Sequence, residues 1–267
     1  MTKPGMIKGP LKACTLVVCL AMCCISSCGL YGQEGSDELY GGVPEEDYLA
    51  GRFDPSRHPQ FAEISSMGIP TDGKKFYLRR ETAEALKKLC DAFRAAHPRP
   101  SLRVRSATRS WDDQKSIWED KWNGRTLVDG RALDREIKQA RERSLKILEY
   151  SSMPGSSRHH WGTDFDLNEL YNEYYESGEG AVLYRWLLQH AGEYGFCRPY
   201  TAGRRSGYRE ERWHWSYRAT AARFLKNWER VFGAAAPFTR RGWTFDGVEE
   251  AERLAPLYVS AVADECK

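Results

Sequence analysis

Two aspartates, Asp164 and Asp166, interrupt the segment "WGTDFDLN", where they alternate with Phe165 and Leu167 as side chains alternate along a strand. Carboxylates are depleted in strands, and a buried one is costly unless it is paired or bound to a cation. Residues 164 and 166 would point to the same side of that strand. The chain must therefore fold so that this side meets a metal ion or positive charge, a tighter demand than any other in the sequence.

Around this strand the pattern alternates between helices and short strands. "ETAEALKKLCDAFRAAH" (81–97) places Ala85, Leu86, Leu89, Cys90 and Phe93 on one helical face, and Pro98 and Pro100 stop it. "LRVRSATRS" (102–110) reads as a strand. A helix from Trp111 to Trp122 follows, with Ser110 or Asp112 at its start. A charged helix over 133–150 is expected to bury Ile137, Leu145 and Leu148, and "SSMPGSSRHH" is a loop. Further helices are expected near 181–194, ending at Gly195, over 219–232, and in the tail near 249–264; "RWHWSY" is a short strand. There is no βαβ rhythm and no Gly-rich phosphate loop. The expected fold class is α+β, a small mixed or antiparallel sheet packed with helices.

The first 27 residues contain Lys3, Lys8 and Lys12, no Asp or Glu, and the apolar run 13–25, which is short for a membrane span and suited to a secretory signal. The string "ISSCGL" that follows resembles the lipobox of bacterial lipoproteins, which implies a lipidated Cys28. The expected organisation is a signal peptide (1–27), a tether (28–60) and a single domain (61–267), exported and lipid-anchored to a bacterial membrane. The three lysines account for the whole formal charge of +3, leaving 37 basic against 37 acidic residues. That balance excludes the basic surface of a nucleic-acid binder. Only Cys90, Cys197 and Cys266 remain in the body; one disulfide is possible and the sequence does not choose the pair.

Metal-ligand residue types concentrate in two segments, "SRHHWGTDFD" (157–166) and "ERWHW" (211–215). A catalytic zinc takes three protein ligands and keeps one position open. His159, Asp166 and His214 supply two imidazoles and a carboxylate, which leaves Glu211 free as a base. His160 is a rival to His159, but on an extended chain it faces the other way. The aromatic residues Trp161, Tyr200, Tyr208, Trp213, Trp215 and Tyr217 crowd these motifs, mostly as core, and "PYTAGRRSGYRE" (199–210) has the composition of a mobile loop at a pocket rim.

"SRHHWGTDFDL" resembles the Ser-x-His-x-x-Gly-x-Ala-x-Asp motif of the D-alanyl-D-alanine carboxypeptidases and dipeptidases associated with vancomycin resistance, and "ERWHW" resembles their Glu-x-x-His motif. "SATRSWDDQ" is similar to their segment in which an Arg follows a strand and a Gln comes soon after. The resemblance spans roughly residues 75–232. It implies a fold shared with lysostaphin-type endopeptidases and the hedgehog signalling domain. It also implies one zinc on His159, Asp166 and His214, with Glu211 as general base and acid, and Arg109 at the oxyanion or substrate carbonyl. Ser157 and Gln114 would bind substrate. The implied activity is hydrolysis of D-Ala-D-Ala-type bonds in peptidoglycan stem peptides. Rival readings are an endopeptidase that cuts cross-links and a non-catalytic, metal-containing wall-binding module. Asp164 stands where the family has Ala: it would either orient a ligand His or repel a substrate carboxylate. No oligomeric state is assigned.

Overall fold

The computed structural model describes residues 38–99 and 101–267; the signal region and Cys28 lie outside them. Helix α1 (Glu45–Leu49) belongs to the segment expected as a tether. Tyr48, Leu49 and Ala50 have no exposed surface, and the Tyr48 hydroxyl donates to the Trp161 carbonyl at 3.0 Å. Residues 38–60 are thus part of the domain and not a spacer. Polar and glycine-rich composition suggested a tether, but the aromatic rings within the segment find a partner in the body and bury there.

A two-stranded antiparallel ribbon, β1 (Phe61–Glu63) and β2 (Tyr77–Arg79), leads into α2 (Arg80–Ala96), which buries Leu86, Leu89, Cys90 and Phe93 as its periodicity predicts. Next come β3 (Val104–Ser106) and α3 (Trp111–Trp122). The α3 helix starts at a reciprocal cap: Ser110 Oγ accepts from the Asp113 N–H at 3.1 Å while the Asp113 carboxylate accepts from the Ser110 N–H. The expected helix over 133–150 is instead two, α4 (Leu133–Glu136) and α5 (Ala140–Leu148). Ile137 is extended between them, and the Arg143 guanidinium caps its carbonyl at 2.9 and 2.6 Å. This break shifts the buried face to Ile147 and Leu148 and leaves Leu145 exposed.

The strand β4 (Asp164–Leu167) is followed by α6 (Gly178–His190), β5 (Phe196–Cys197), β6 (His214–Tyr217) and α7 (Arg218–Phe232). The expected tail helix is also divided, into α8 (Val248–Ala251) and α9 (Ala255–Ser260), because Pro256 carries no N–H and opens the second piece. Cys197 and Cys266 form a disulfide that ties the tail to β5, and Cys90 is free and buried. Among the described residues no helix is long and apolar enough to cross a membrane.

The main sheet is antiparallel, in the order β3-β4-β6-β5. Its period of two separates the faces cleanly. Val104, Phe165, Leu167, Phe196 and Trp215 form one apolar core with α2 and α6. Asp164, Asp166, His214 and Ser216 occupy the other face, all buried. Gly162, which turns the chain into β4, has φ 74°, and a Cβ there would lie 2.4 Å from Phe61 Cε1. Gly162→Ala should therefore lower stability by about 2–4 kcal/mol, through left-handed strain and overpacking. A urea unfolding midpoint that falls at constant slope is the expected result.

Candidate active site

Strand register assembles the centre. In the β4–β6 ladder Asp166 is the cross-strand partner of His214, and Asp164 that of Ser216. His159 arrives from the preceding 3-10 turn, Arg158–Trp161. Its Nδ1–H donates to the Ala107 carbonyl at 2.8 Å, which turns Nε2 toward Asp166 Oδ2, 3.3 Å away. His214 Nδ1 lies 3.1 Å from Asp166 Oδ1 and 3.5 Å from Glu211 Oε2. One ligand atom each from His159, Asp166 and His214 lie within 4.8 Å of one another, and all three residues are buried. Asp166 Oδ1 meets no aligned donor despite its burial. Three convergent donors, one of them an orphaned carboxylate oxygen, fit a divalent cation with nitrogen and oxygen ligands.

Asp164 forms the outer support of this centre. Its Oδ2 accepts from His214 Nε2 and Arg158 Nε, both at 2.9 Å. Its Oδ1 accepts from Thr163 Oγ1 at 2.6 Å and Ser216 Oγ at 2.8 Å. Burial opposes its charge, but Arg158, His214 and Thr163 hold the carboxyl well below the usual carboxylate range. Of the two roles open to Asp164, the structure displays a contact that orients the His214 ring. With all of its surface enclosed, it cannot reach a substrate carboxylate.

The same field acts on the other groups. Burial, with Arg109 nearby, lowers His159 and favours the neutral ring that a ligand needs. Burial also disfavours the charged His214 ring, but Asp164 and Asp166 outweigh it and take this residue up to about 9. Burial pushes the Glu211 carboxyl up to about 7, with His214 acting against it and Asp166 reinforcing it. A carboxyl in that range exchanges protons near neutral pH.

His160 points away from the centre. Its Nε2 accepts from the Gly155 N–H at 3.1 Å, so Nδ1 carries the proton and donates to the Arg109 carbonyl at 2.8 Å. Burial lowers it to about 3, and it stays neutral as a brace for the Arg109 backbone. A cavity of about 860 Å³ opens over His159, Asp166 and His214, and Glu211 and Arg109 line it too. Two residues expected to bind substrate lie away from the cavity surface. Gln114 does not face the cavity: it is fully buried, accepts from Arg109 Nη1 at 3.0 Å and donates to the Ser152 carbonyl at 2.7 Å. Its side-chain contacts hold Arg109 and the Ser152 backbone. Ser157 is 1% exposed and lies outside the lining, because its residue turns inward to open the 3-10 turn.

The loop 199–210 is pinned, contrary to its composition. The Arg204 guanidinium donates to the carbonyls of Thr201, Ser206, Tyr208 and Ala261. The Tyr200 ring sits 4.6 Å from the His214 ring. Sequence reasoning missed Arg158 and Lys121. The demand that a strand-borne carboxylate find a cation, applied to Asp164 as well as Asp166, would have pointed to Arg158 in the same motif.

Residues 75–220 match the family described as VanY, D-alanyl-D-alanine carboxypeptidase. The chain belongs to the VanY family. A putative carboxypeptidase, YodJ of Bacillus subtilis (strain 168), is 30% identical over 195 residues, or 71% of this chain and 63% of the relative. The chain thus spans less than two thirds of the length of that curated relative. Among solved structures, VanYB in complex with D-alanine-D-alanine is similar at 24% identity over 58% of this chain and 78% of its own, with a TM-score of 0.41. DacB from Streptococcus pneumoniae D39 is similar at 23% identity over 63% and 78%, with a TM-score of 0.38.

At this candidate metal centre, Asp164→Asn should weaken binding of a divalent cation, with Zn2+ as the probe, by about 10–100-fold, the usual cost of losing an outer partner of a ligand histidine. Competition against a chromophoric chelator, on protein shown to be folded by circular dichroism, measures it. Unchanged affinity would deny Asp164 its orienting role.

Proposed function

We propose that this chain is a zinc-dependent carboxypeptidase that removes D-alanine from peptidoglycan stem peptides. The observation that carries the reading is the meeting of His159, Asp166 and His214 at one point, with Glu211 beside them and outside the ligand set. Family membership supports the substrate class. We further propose that the protein is exported and held at the membrane by a lipidated Cys28. The "ISSCGL" string and the Cys197–Cys266 disulfide, which suits an oxidising compartment, support this.

His159 Nε2, His214 Nδ1 and an Asp166 carboxylate oxygen would hold the ion. Bound zinc supplies Lewis acidity, lowering the pKa of water and polarising a carbonyl. The chain's own groups do the rest. Glu211 accepts the proton of the attacking water and returns it to the departing amine nitrogen, a task that its raised pKa suits. Arg109 donates to the oxygen on which charge develops; its aim is set beforehand by Gln114 and by the backbone bond from the Arg109 N–H to the His159 carbonyl at 3.1 Å. Asp164, itself ionised, keeps the second ring nitrogen of His214 occupied, so that Nδ1 faces the ion.

The test is mass spectrometry of muropeptides incubated with the zinc-loaded protein. Loss of a single D-alanine is expected. A strong chelator should abolish it, and Glu211→Gln should lower it by about 10²–10⁴-fold while Zn2+ binding persists. Release of a longer peptide would favour the endopeptidase reading, and full activity in Glu211→Gln would refute the role of that residue. Arg109→Ala should cost about 10²–10³-fold in kcat with a smaller change in KM. Equal losses for Gln114→Ala would show that the aiming contact matters as much as the guanidinium.

A further inference from the structure

One cation that lines the cavity has neither a task in this mechanism nor an ion-pair partner among the described residues. Lys121, in the last turn of α3, lines the cavity beside Arg109 and Glu211. Its ammonium donates to Ser151 Oγ, and Ser151 lines the cavity too. Among the described residues neither Lys121 nor Arg109 forms a salt bridge with a carboxylate; Arg109 spends one donor on Gln114, and its buried Nε has no partner. The other cation of this rim, Arg209, is paired with Glu149. Two cations that line one partly enclosed cavity repel each other, and the Glu211 carboxyl, which favours the charged Lys121, does not outweigh that repulsion and burial. Burial and the Arg109 charge accordingly depress Lys121 to about 8. An anion placed between them would relieve both costs.

The position of the pair identifies that anion. In a peptide, the terminal carboxylate lies one residue beyond the last peptide bond, about 3.8 Å along the chain. If Arg109 serves the oxygen of the bond being cut, a receptor for the terminal carboxylate must lie on the same cavity wall, and Lys121 lines that cavity within reach of the Arg109 charge. The Ser151 hydroxyl, which accepts from Lys121, keeps its own proton free to donate to the same carboxylate. We infer that Lys121 is a specificity-determining residue that binds the free carboxylate of the departing residue, so that the site cuts at a chain end and discriminates against internal bonds. This rests on the peptidase reading above and deepens it. An internal bond would bring a neutral amide to Lys121 and leave the ammonium uncompensated. The plainer role, tying α3 to the 151–152 loop, predicts lost stability without any change in preference.

Calorimetry on the full chain separates these, using diacetyl-L-Lys-D-Ala-D-Ala and its C-terminal amide as probes. The zinc-loaded Glu211→Gln protein binds without cutting and is compared with its Lys121→Met and Lys121→Arg derivatives. The free acid should bind about tenfold or more tightly than the amide. Lys121→Met should remove that preference by weakening the acid alone, and Lys121→Arg should keep it. Equal binding of acid and amide, or a preference that survives Lys121→Met, overturns the inference. If Lys121→Met fails the circular dichroism check, Lys121→Gln takes its place on the same criterion. Release of D-alanine by the wild type, with equal binding of both probes by the Glu211→Gln protein, sinks the Lys121 assignment alone. Wild-type protein that binds neither probe and releases nothing sinks the peptidase reading with it.

Discussion

Asp164 has no exposed surface, and four donors converge on its two oxygens: Arg158, His214, Thr163 and Ser216. A carboxylate removed from water is tolerated only when its lone pairs are filled and its charge is answered. Arg158, itself 1% exposed, answers the charge and reaches across the ladder to Ser216 Oγ at 2.7 Å. This network joins the 3-10 turn that carries His159, the strand that carries Asp166 and the strand that carries His214. It fixes the ring of His214 and locks the separation of β4 from β6. The geometry at the centre therefore depends on a charge that touches no substrate.

Around it, one physical setting gives neighbouring groups different tasks. Burial alone raises a carboxyl and lowers an imidazole. Asp164 escapes because Arg158 and His214 outweigh burial, and His214 rises because two carboxylates do the same for it. Glu211 comes from the loop and not from the ladder; burial outweighs His214, Arg109 and Lys121 there, and it moves to about 7. The ladder thus holds Asp164 ionised beneath the His214 ring, and the loop supplies the carboxyl whose pKa lies near neutrality. Arg204 and the Cys197–Cys266 disulfide keep that loop and the tail against each other.

Much of this was legible in residue order. Asp166 between Phe165 and Leu167, two histidines at separate sites and a Glu three residues before the second defined the centre. The α2 and α3 helices were readable from periodicity and breakers, since both are local properties. The burial of Gln114 and Ser157 was not legible, because a motif names residues, not the direction in which they point. Gln114 lies on the buried side of α3, where its amide satisfies Arg109 and Ser152. The tether was misread for a similar reason: Tyr40 and Tyr48 look like isolated aromatics until Phe224 of α7 packs on them.

The residue pattern by itself determined the chemistry on offer, because ligand types, a base and a strand-borne carboxylate pair are properties of composition and spacing. It also determined the period-two separation of an apolar from a polar sheet face. Tertiary structure decided everything that depends on contacts between distant segments. It chose Cys197 and Cys266 as the bonded pair, made Asp164 a support for His214, gave His160 to the Arg109 backbone and set Lys121 beside Arg109. Such outcomes turn on which segments meet and on how much water is excluded where they do, and neither is encoded in the local run of the chain.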